Sequence, residues 1–172
     1  MKTLITIIFL SLLSSPSWSE TQDDLVKRDG VYYKKFSDVP FSGKVTGLYK
    51  GNYKNGKEEG VWTYYYDNGQ LLIKSNYENG KKEGEWISYH ENGQLSHKGN
   101  HKNGKREGEW ISYHENGQLS YKGNHKNGKR EGEWVEFHDD GQLGNKGNYK
   151  NGVKIMEEGS VEHAKWLNGI KE

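Results

Sequence analysis

Tryptophan recurs in this chain at a fixed interval of 24 residues, at Trp62, Trp86, Trp110 and Trp134. Glycine keeps the same interval twice over, at Gly60, Gly84, Gly108 and Gly132 and again at Gly69, Gly93, Gly117 and Gly141. The stretch Gly108–Gly132 (GEWISYHENGQLSYKGNHKNGKREG) occurs almost letter for letter one unit earlier, from Gly84. A period of this length marks a repeat array, in which no unit encloses a core alone and neighbours bury one another's apolar faces. A chain of 172 residues has room for one short array.

The punctuation inside the unit specifies its secondary structure. Asn-Gly stands at 55–56, 68–69, 79–80, 92–93, 103–104, 116–117, 127–128 and 151–152, with Asp140-Gly141 in the remaining place. Asn-Gly between alternating segments is a strong hairpin signal, because a type I′ turn needs positive φ at both central residues. The spacing alternates between 13 and 11, so each repeat predicts two strands of about nine residues and two tight turns. The fold class is therefore all-β, an array of antiparallel β-hairpins forming one elongated sheet that grows by roughly 10 Å per repeat.

If every Asn-Gly closes a two-residue loop, Trp86 faces Gly99, Trp110 faces Gly123 and Trp134 faces Gly147, which leaves room for each indole to lie on the sheet. Across the other turn, Glu85 faces Lys74, Glu109 faces Lys98 and Glu133 faces Lys122, all favourable cross-strand pairs. Alternation then sets Trp86, Ser88, His90, Leu95, His97 and Gly99 on one face, and Ile87, Tyr89, Ser96 and Lys98 on the other. Aromatics stand on both faces. Either the sheet curls over one face, or a stripe stays open to receive something.

The ends depart from the period. Lys2, the apolar run Leu4–Leu13 and small residues at Ser17 and Ser19 predict a secretory signal peptide over residues 1–19, cleaved after Ser19. The run is too short to span a bilayer comfortably, so a periplasmic or secreted protein without a transmembrane segment is expected. Residues 20–40 read as a polar lead-in and a strand at Val31–Phe36, after an Asp29-Gly30 turn and ended by Pro40. The array occupies 41–152. It opens with a degenerate copy, where Gly43-x-Val45-x-x-Leu48 parallels Gly84-x-Trp86-x-x-Tyr89 and the internal turn is lost. Residues 153–172 read as a cap: an edge strand at Val153–Met156, then a short C-terminal helix with Ser160 and Gly169 as its caps and Trp166-Leu167 to plug the open end.

Composition narrows the chemistry. Hydrophobic content is only 31%, but twelve Tyr, six Trp and four Phe at regular spacing are not the composition of a disordered tail. The formal charge is +1, and loss of Lys2 with the leader leaves 24 basic and 24 acidic side chains. A neutral chain of interleaved signs lacks the footprint of a nucleic-acid binder. There is no Cys, hence no disulfide framework and no thiolate site. His90, His114 and His138 exchange with Tyr66, and His101 and His125 with Tyr53, Tyr77 and Tyr149, which suits an amphipathic position rather than a metal ligand. His97 and His101 lie about 13 Å apart along a strand, too far to share one zinc ion. The carboxylate pairs Glu83/Glu85, Glu107/Glu109 and Glu131/Glu133 repeat identically, whereas acid–base work needs unlike environments. No phosphate-loop pattern occurs. A non-enzymatic protein without metal or cofactor follows. The two aromatic lines, Trp62, Trp86, Trp110 and Trp134 and Tyr65, Tyr89, Tyr113 and Phe137, are the candidate binding surface, against the plainer reading that both are glue between repeats.

The pattern Gly84-x-Trp86-x-x-Tyr89-x-x-Asn92-Gly93-x-Leu95, followed by Asn103-Gly104-Lys105-x-x-Gly108, resembles the bacterial variant of the MORN repeat (membrane occupation and recognition nexus). The resemblance covers about residues 41–152. It implies a single-layer antiparallel sheet used as a binding or assembly scaffold, and a protein partner. Proteins with this variant and a similar lead-in are often grouped as antitoxins of toxin–antitoxin systems; together with export, that implies an immunity-like or surface-associated binder. An envelope glycan is the alternative partner, because Val61–Gly69 resembles the aromatic-glycine units of cell-wall-binding repeats. An uncovered aromatic stripe would also favour self-association.

Overall fold

The computed structural model describes residues 19–156. The leader and the C-terminal helix expected from the sequence lie outside that range. Among the described residues there are fourteen strands: β1 Glu20–Thr21, β2 Leu25–Arg28, β3 Val31–Lys34, β4 Gly43–Thr46, β5 Tyr49–Lys54, β6 Lys57–Tyr65, β7 Leu71–Glu78, β8 Lys81–Tyr89, β9 Leu95–Lys102, β10 Lys105–Tyr113, β11 Leu119–Lys126, β12 Lys129–Phe137, β13 Leu143–Lys150 and β14 Val153–Ile155. β4 to β14 follow one another as an antiparallel meander, and β1 joins beside β4 to complete a sheet of twelve strands. β2 and β3 form a separate hairpin. β1 pairs with β4 in parallel.

The turns are of two kinds, and this corrects the expectation of uniform two-residue loops. Asn55, Asn79, Asn103, Asn127 and Asn151 have φ of 51–53°, each followed by a glycine of positive φ. These are type I′ turns. At the alternate turns only the glycine has positive φ. There Gly93 N–H donates to the His90 carbonyl at 2.9 Å and His90 N–H to the Gln94 carbonyl at 2.8 Å, a three-residue loop ending in a glycine bulge. Asn92 serves through its side chain, accepting from Gln94 N–H at 2.9 Å. Asn68, Asn116 and Asp140 do the same in their copies.

The bulges move the register. Trp86 faces Gly99, Trp110 faces Gly123 and Trp134 faces Gly147, as expected. Tyr89, however, pairs with Leu95. Leucine therefore joins the Tyr89 face, and Ser96 turns to the Trp face, where its hydroxyl lies 2.8 Å from His97 Nδ1. Across the type I′ turns a second bulge, at Gly84 and its equivalents, slides the ladder by two residues, and Lys74 faces Ile87 rather than Glu85. Lys98 likewise faces Ile111, and Lys122 faces Val135. The expected Glu–Lys pairs do not form, and each glutamate instead takes a lysine of the following strand: Glu85 with Lys98 at 3.7 Å, Glu109 with Lys122 at 2.9 Å and Glu133 with Lys146 at 2.8 Å.

At the N-terminal end the polar lead-in is more ordered than its composition suggested. Asp29-Gly30 closes the β2–β3 hairpin, with φ of 49° and 79°. β3 ends at Lys34, and Phe36 lies beyond it, fully exposed at φ 63°. The first copy keeps its turn in shortened form: Gly47-Leu48 joins β4 to β5, and Val45 faces Gly51 as Trp86 faces Gly99. Leu25, Phe41, Val45, Tyr53 and Trp62 make a buried cluster that closes this end.

Elsewhere the core is a single row of rings on one face. Trp62, Trp110 and Trp134 are 1–2% exposed, although one layer of sheet carries them. Each indole lies on the glycine of the strand before it. A Cβ on Gly51, Gly99 or Gly123 would stand 2.2–2.3 Å from Trp62, Trp110 or Trp134 respectively. The residue that faces each indole on the following strand is thus the platform for the next indole. Trp86 is the exception. Its platform is Ser75, whose buried hydroxyl has no partner, and Trp86 is only half-buried. The Trp110 and Trp134 N–H groups donate to the Asn100 and Asn124 carbonyls at 3.2 and 3.0 Å, whereas Nε1 of Trp62 and of Trp86 is buried without a partner.

Two substitutions test this packing by urea unfolding. Gly99→Ala drives a methyl group into Trp110 and is expected to cost about 2–3 kcal/mol. Ser75→Gly removes an orphaned hydroxyl and lets Trp86 settle onto the sheet. It is expected to stabilise by about 1 kcal/mol, after the cost of a strand glycine.

Candidate functional site

The two aromatic lines are on opposite faces, and the structure treats them differently. On the Trp face the indoles alternate with the rings of the Tyr/His position. Trp86 and His101 have centroids 6.3 Å apart, His101 and Trp110 5.1 Å, Trp110 and His125 5.9 Å, and His125 and Trp134 4.9 Å. At the N-terminal end Tyr53, Trp62 and Tyr77 continue the pattern at 4.8 and 6.2 Å. Tyrosine and histidine exchange here because each fills the gap between successive indoles with a flat ring. Lys82, Arg106 and Arg130 then close over Trp86, Trp110 and Trp134, at 5.5, 4.3 and 4.2 Å from the ring centroids.

This environment fixes the histidines as neutral. Burial pushes His101 down to about 4, with Lys82 and Arg106 adding to the effect. Burial and the Arg106 and Arg130 guanidiniums do the same to His125, also to about 4. Burial and Arg106 lower His97 as well. Nδ1 of His101 and of His125 is buried without a partner.

The repeated glutamates are structural. Glu59, Glu83, Glu107 and Glu131 accept from the backbone N–H of Asn79, Asn103, Asn127 and Asn151, at 2.7–3.0 Å, and so hold the type I′ turn of the next repeat. The second glutamate of each full pair takes the lysine described above. At the other rim Tyr66 O–H donates to the Tyr89 carbonyl at 2.9 Å, and His90 and His114 reach the Tyr113 and Phe137 carbonyls with Nε2 at 2.9 Å. Tyr and His exchange at this position because either one can donate across one repeat. Among the described residues no three His, Asp or Glu converge as a metal site requires, and no described helix is long and apolar enough to cross a membrane.

The face opposite the tryptophans carries the second line and something the sequence reading lacked. Tyr65 pairs with Leu71, Tyr89 with Leu95, Tyr113 with Leu119 and Phe137 with Leu143. One apolar side chain per strand therefore stands in a continuous column over eight strands, about 34 Å long at the usual strand spacing. Its rings are half-buried, and Leu143 is 59% exposed. Beside it runs a column that alternates Ile87, Lys98, Ile111, Lys122, Val135 and Lys146. The Glu–Lys pairs flank that column. All are about half exposed, so they contribute little to stability and mainly orient charge.

Of the eight aromatic candidates, then, Trp62, Trp110 and Trp134 are sealed into the sheet, while Trp86, Tyr65, Tyr89, Tyr113 and Phe137 are half-buried and keep accessible edges. Leu71, Leu95, Leu119 and Leu143 were missed because the glycine bulge that turns them outward is not apparent from strict alternation. The irregularity was legible in principle: successive Asn-Gly pairs are offset alternately by thirteen and eleven residues, so uniform two-residue loops would let the ladder drift by two residues per repeat unless a bulge took up the difference.

The neutral histidines give a pH dependence with a definite sign. An unfolded histidine titrates near 6.5, above the folded value, so their contribution is complete above pH 6.5 and is lost as pH falls towards about 4. Urea midpoints measured from pH 7 down to 4.5 are expected to fall. The fall is expected to shrink in a His101→Tyr, His125→Tyr variant, which uses the ring found at Tyr53, Tyr77 and Tyr149.

Comparison with known proteins agrees with this geometry. The model of the MORN repeat variant matches residues 58–79, 82–103, 106–127 and 130–151. No curated protein matches the sequence. Among solved structures, a match covers 80% of this chain and 28% of the other at 12% identity and a TM-score of 0.23; its title is "Crystal structure of GtfA/B complex bound to UDP and GlcNAc". That likeness is too weak to carry an argument, and this chain spans little more than a quarter of the other's length. Four consecutive matches span half of the sequence and share the period of the tryptophans, the glycine platforms and the two kinds of turn: this chain belongs to the MORN repeat variant family.

Proposed function

We propose that the mature protein is an exported, non-enzymatic scaffold that binds another protein along the Tyr65–Leu143 column. One observation carries this reading. Stability is supplied by the Trp face, yet the opposite face keeps an unbroken aromatic–leucine column with its edges accessible. Tyrosines with accessible edges, rigid rings and a polar tip are efficient anchors for a protein partner. The interleaved lysines and their glutamates supply register at the edge of such a contact. The leader-like residues 1–19 support export, and an immunity-like role, holding a partner outside the cytoplasm, is the form of the family's antitoxin grouping that suits export.

The test is capture from an envelope extract with the protein from Glu20 onward as bait. A Tyr89→Ser, Tyr113→Ser variant serves as comparison, after its melting curve has been shown to match the parent's. Each lost anchor is worth about 1–2 kcal/mol, so a single partner retained by the parent is expected to bind the variant roughly 100-fold more weakly. Equal retention by both would contradict the reading. Sedimentation with isolated cell-wall sacculi and no captured protein would replace it with the glycan alternative.

A further inference from the structure

The chain is close to neutral, but its charges are divided unequally between the two faces. The repeated carboxylates are committed elsewhere: Glu83, Glu107 and Glu131 hold turn N–H groups, and Glu85, Glu109 and Glu133 pair with lysines of the Tyr column. On the Trp face the repeat places a cation over three of the four indoles, Lys82, Arg106 and Arg130, while Glu58 holds the equivalent place in the first full copy. Arg130 is neutralised by Glu136 at 3.1 Å. Among the described residues neither Lys82 nor Arg106 has a carboxylate within ion-pair distance. Arg106 is exposed, and its guanidinium lies on the Trp110 indole, which fixes the plane of the group and leaves its N–H edge free. The excess positive charge is felt nearby: Arg106 adds to burial in lowering Lys82, His97 and His101.

From this placement we infer a second binding surface, independent of the Tyr column: the row Lys82–Arg106–Arg130 on the Trp face receives an acidic helical segment of a protein. Equivalent cations are two strands apart, about 9.6 Å. A helix returns a side chain to the same face every seven residues, about 10.5 Å. A helix laid across the strands, with a glutamate at each seventh position, therefore offers one carboxylate per repeat. Charge-assisted contacts from pre-oriented guanidinium to carboxylate give such a contact its strength, and the residual positive field steers it. Overall neutrality hid this surface from the sequence, because most of the repeated carboxylates are held at the turns or on the other face, and Glu136 on this face is taken up by Arg130.

The experiment uses the chain from Glu20 onward and two synthetic peptides of about 20 residues. One carries Glu at every seventh position of an alanine-rich helix, and the other has the same composition with the glutamates scattered. Binding is read by calorimetry and tryptophan fluorescence at about 0.15 M salt, where weak surface attraction is largely screened. The heptad peptide is expected to bind the parent. A Lys82→Gln, Arg106→Gln variant is expected to lose at least about tenfold in affinity. Lys82→Arg with Arg106→Lys, which keeps the charge, is expected to recover most of it, separating loss of contact from loss of fold. Lys98→Gln with Lys122→Gln, on the other face, is expected to stay within about twofold. The assignment is overturned by no binding at this salt, by equal binding of the scattered peptide, by an equal loss in the Lys98/Lys122 control, or by preference for single-stranded DNA or phosphatidylglycerol vesicles. None of these outcomes bears on the Tyr column, which the capture experiment tests separately.

Discussion

The contact on which this fold depends is an indole lying flat against a glycine of the neighbouring strand. A single-layer sheet has no second layer to bury its apolar side chains, so each large ring must be covered by its own sheet. A side chain at Gly51, Gly99 or Gly123 would occupy the space of the indole itself. Removing that side chain lets the ring sink until it is as buried as any core residue. Neighbouring His or Tyr rings then close the flanks, and a stacked cation closes the top. Ser75 shows the rule by breaking it, since the indole above it stays half-buried.

The same arithmetic that builds the core divides the labour of the two faces. Rims are laced repeat to repeat, by turn-glycine N–H groups on one side, such as Gly104 to the Lys82 carbonyl at 2.8 Å, and by His90 and its equivalents on the other. With core and rims satisfied on the Trp side, the Tyr–Leu column is not required to cover anything. The glycine bulge that turns leucine outward makes that column continuous. Stability is thus supplied from one side of the sheet, and the other side is the one on which the proposed function places recognition.

Much of this was legible in the sequence because it is periodic. The interval between tryptophans gave the array, the Asn-Gly pairs gave the strands, and the Trp–Gly pairing gave one of the two registers. What failed did so for one reason: strict alternation has no place for a bulge. Gly84 and Gly93 looked like further turn or strand glycines, yet each supports extra residues that slide a ladder. The glutamates were therefore paired with the wrong lysines, and Leu95 was placed on the wrong face. Trp62, Trp110 and Trp134 looked like a surface because aromatic residues at a constant interval suit a core and a binding ladder equally. Only the depth at which they lie separates the two.

The central claim is that the tryptophans are core and the tyrosines are surface, and hydroxyl-radical footprinting read by mass spectrometry tests it residue by residue. The account predicts near-complete protection of Trp62, Trp110 and Trp134, intermediate oxidation of Trp86, and ready modification of Tyr65, Tyr89 and Tyr113. Oxidation of Trp110 and Trp134 at the rates of the denatured chain, with the tyrosines protected, would contradict it and reverse the roles of the two faces.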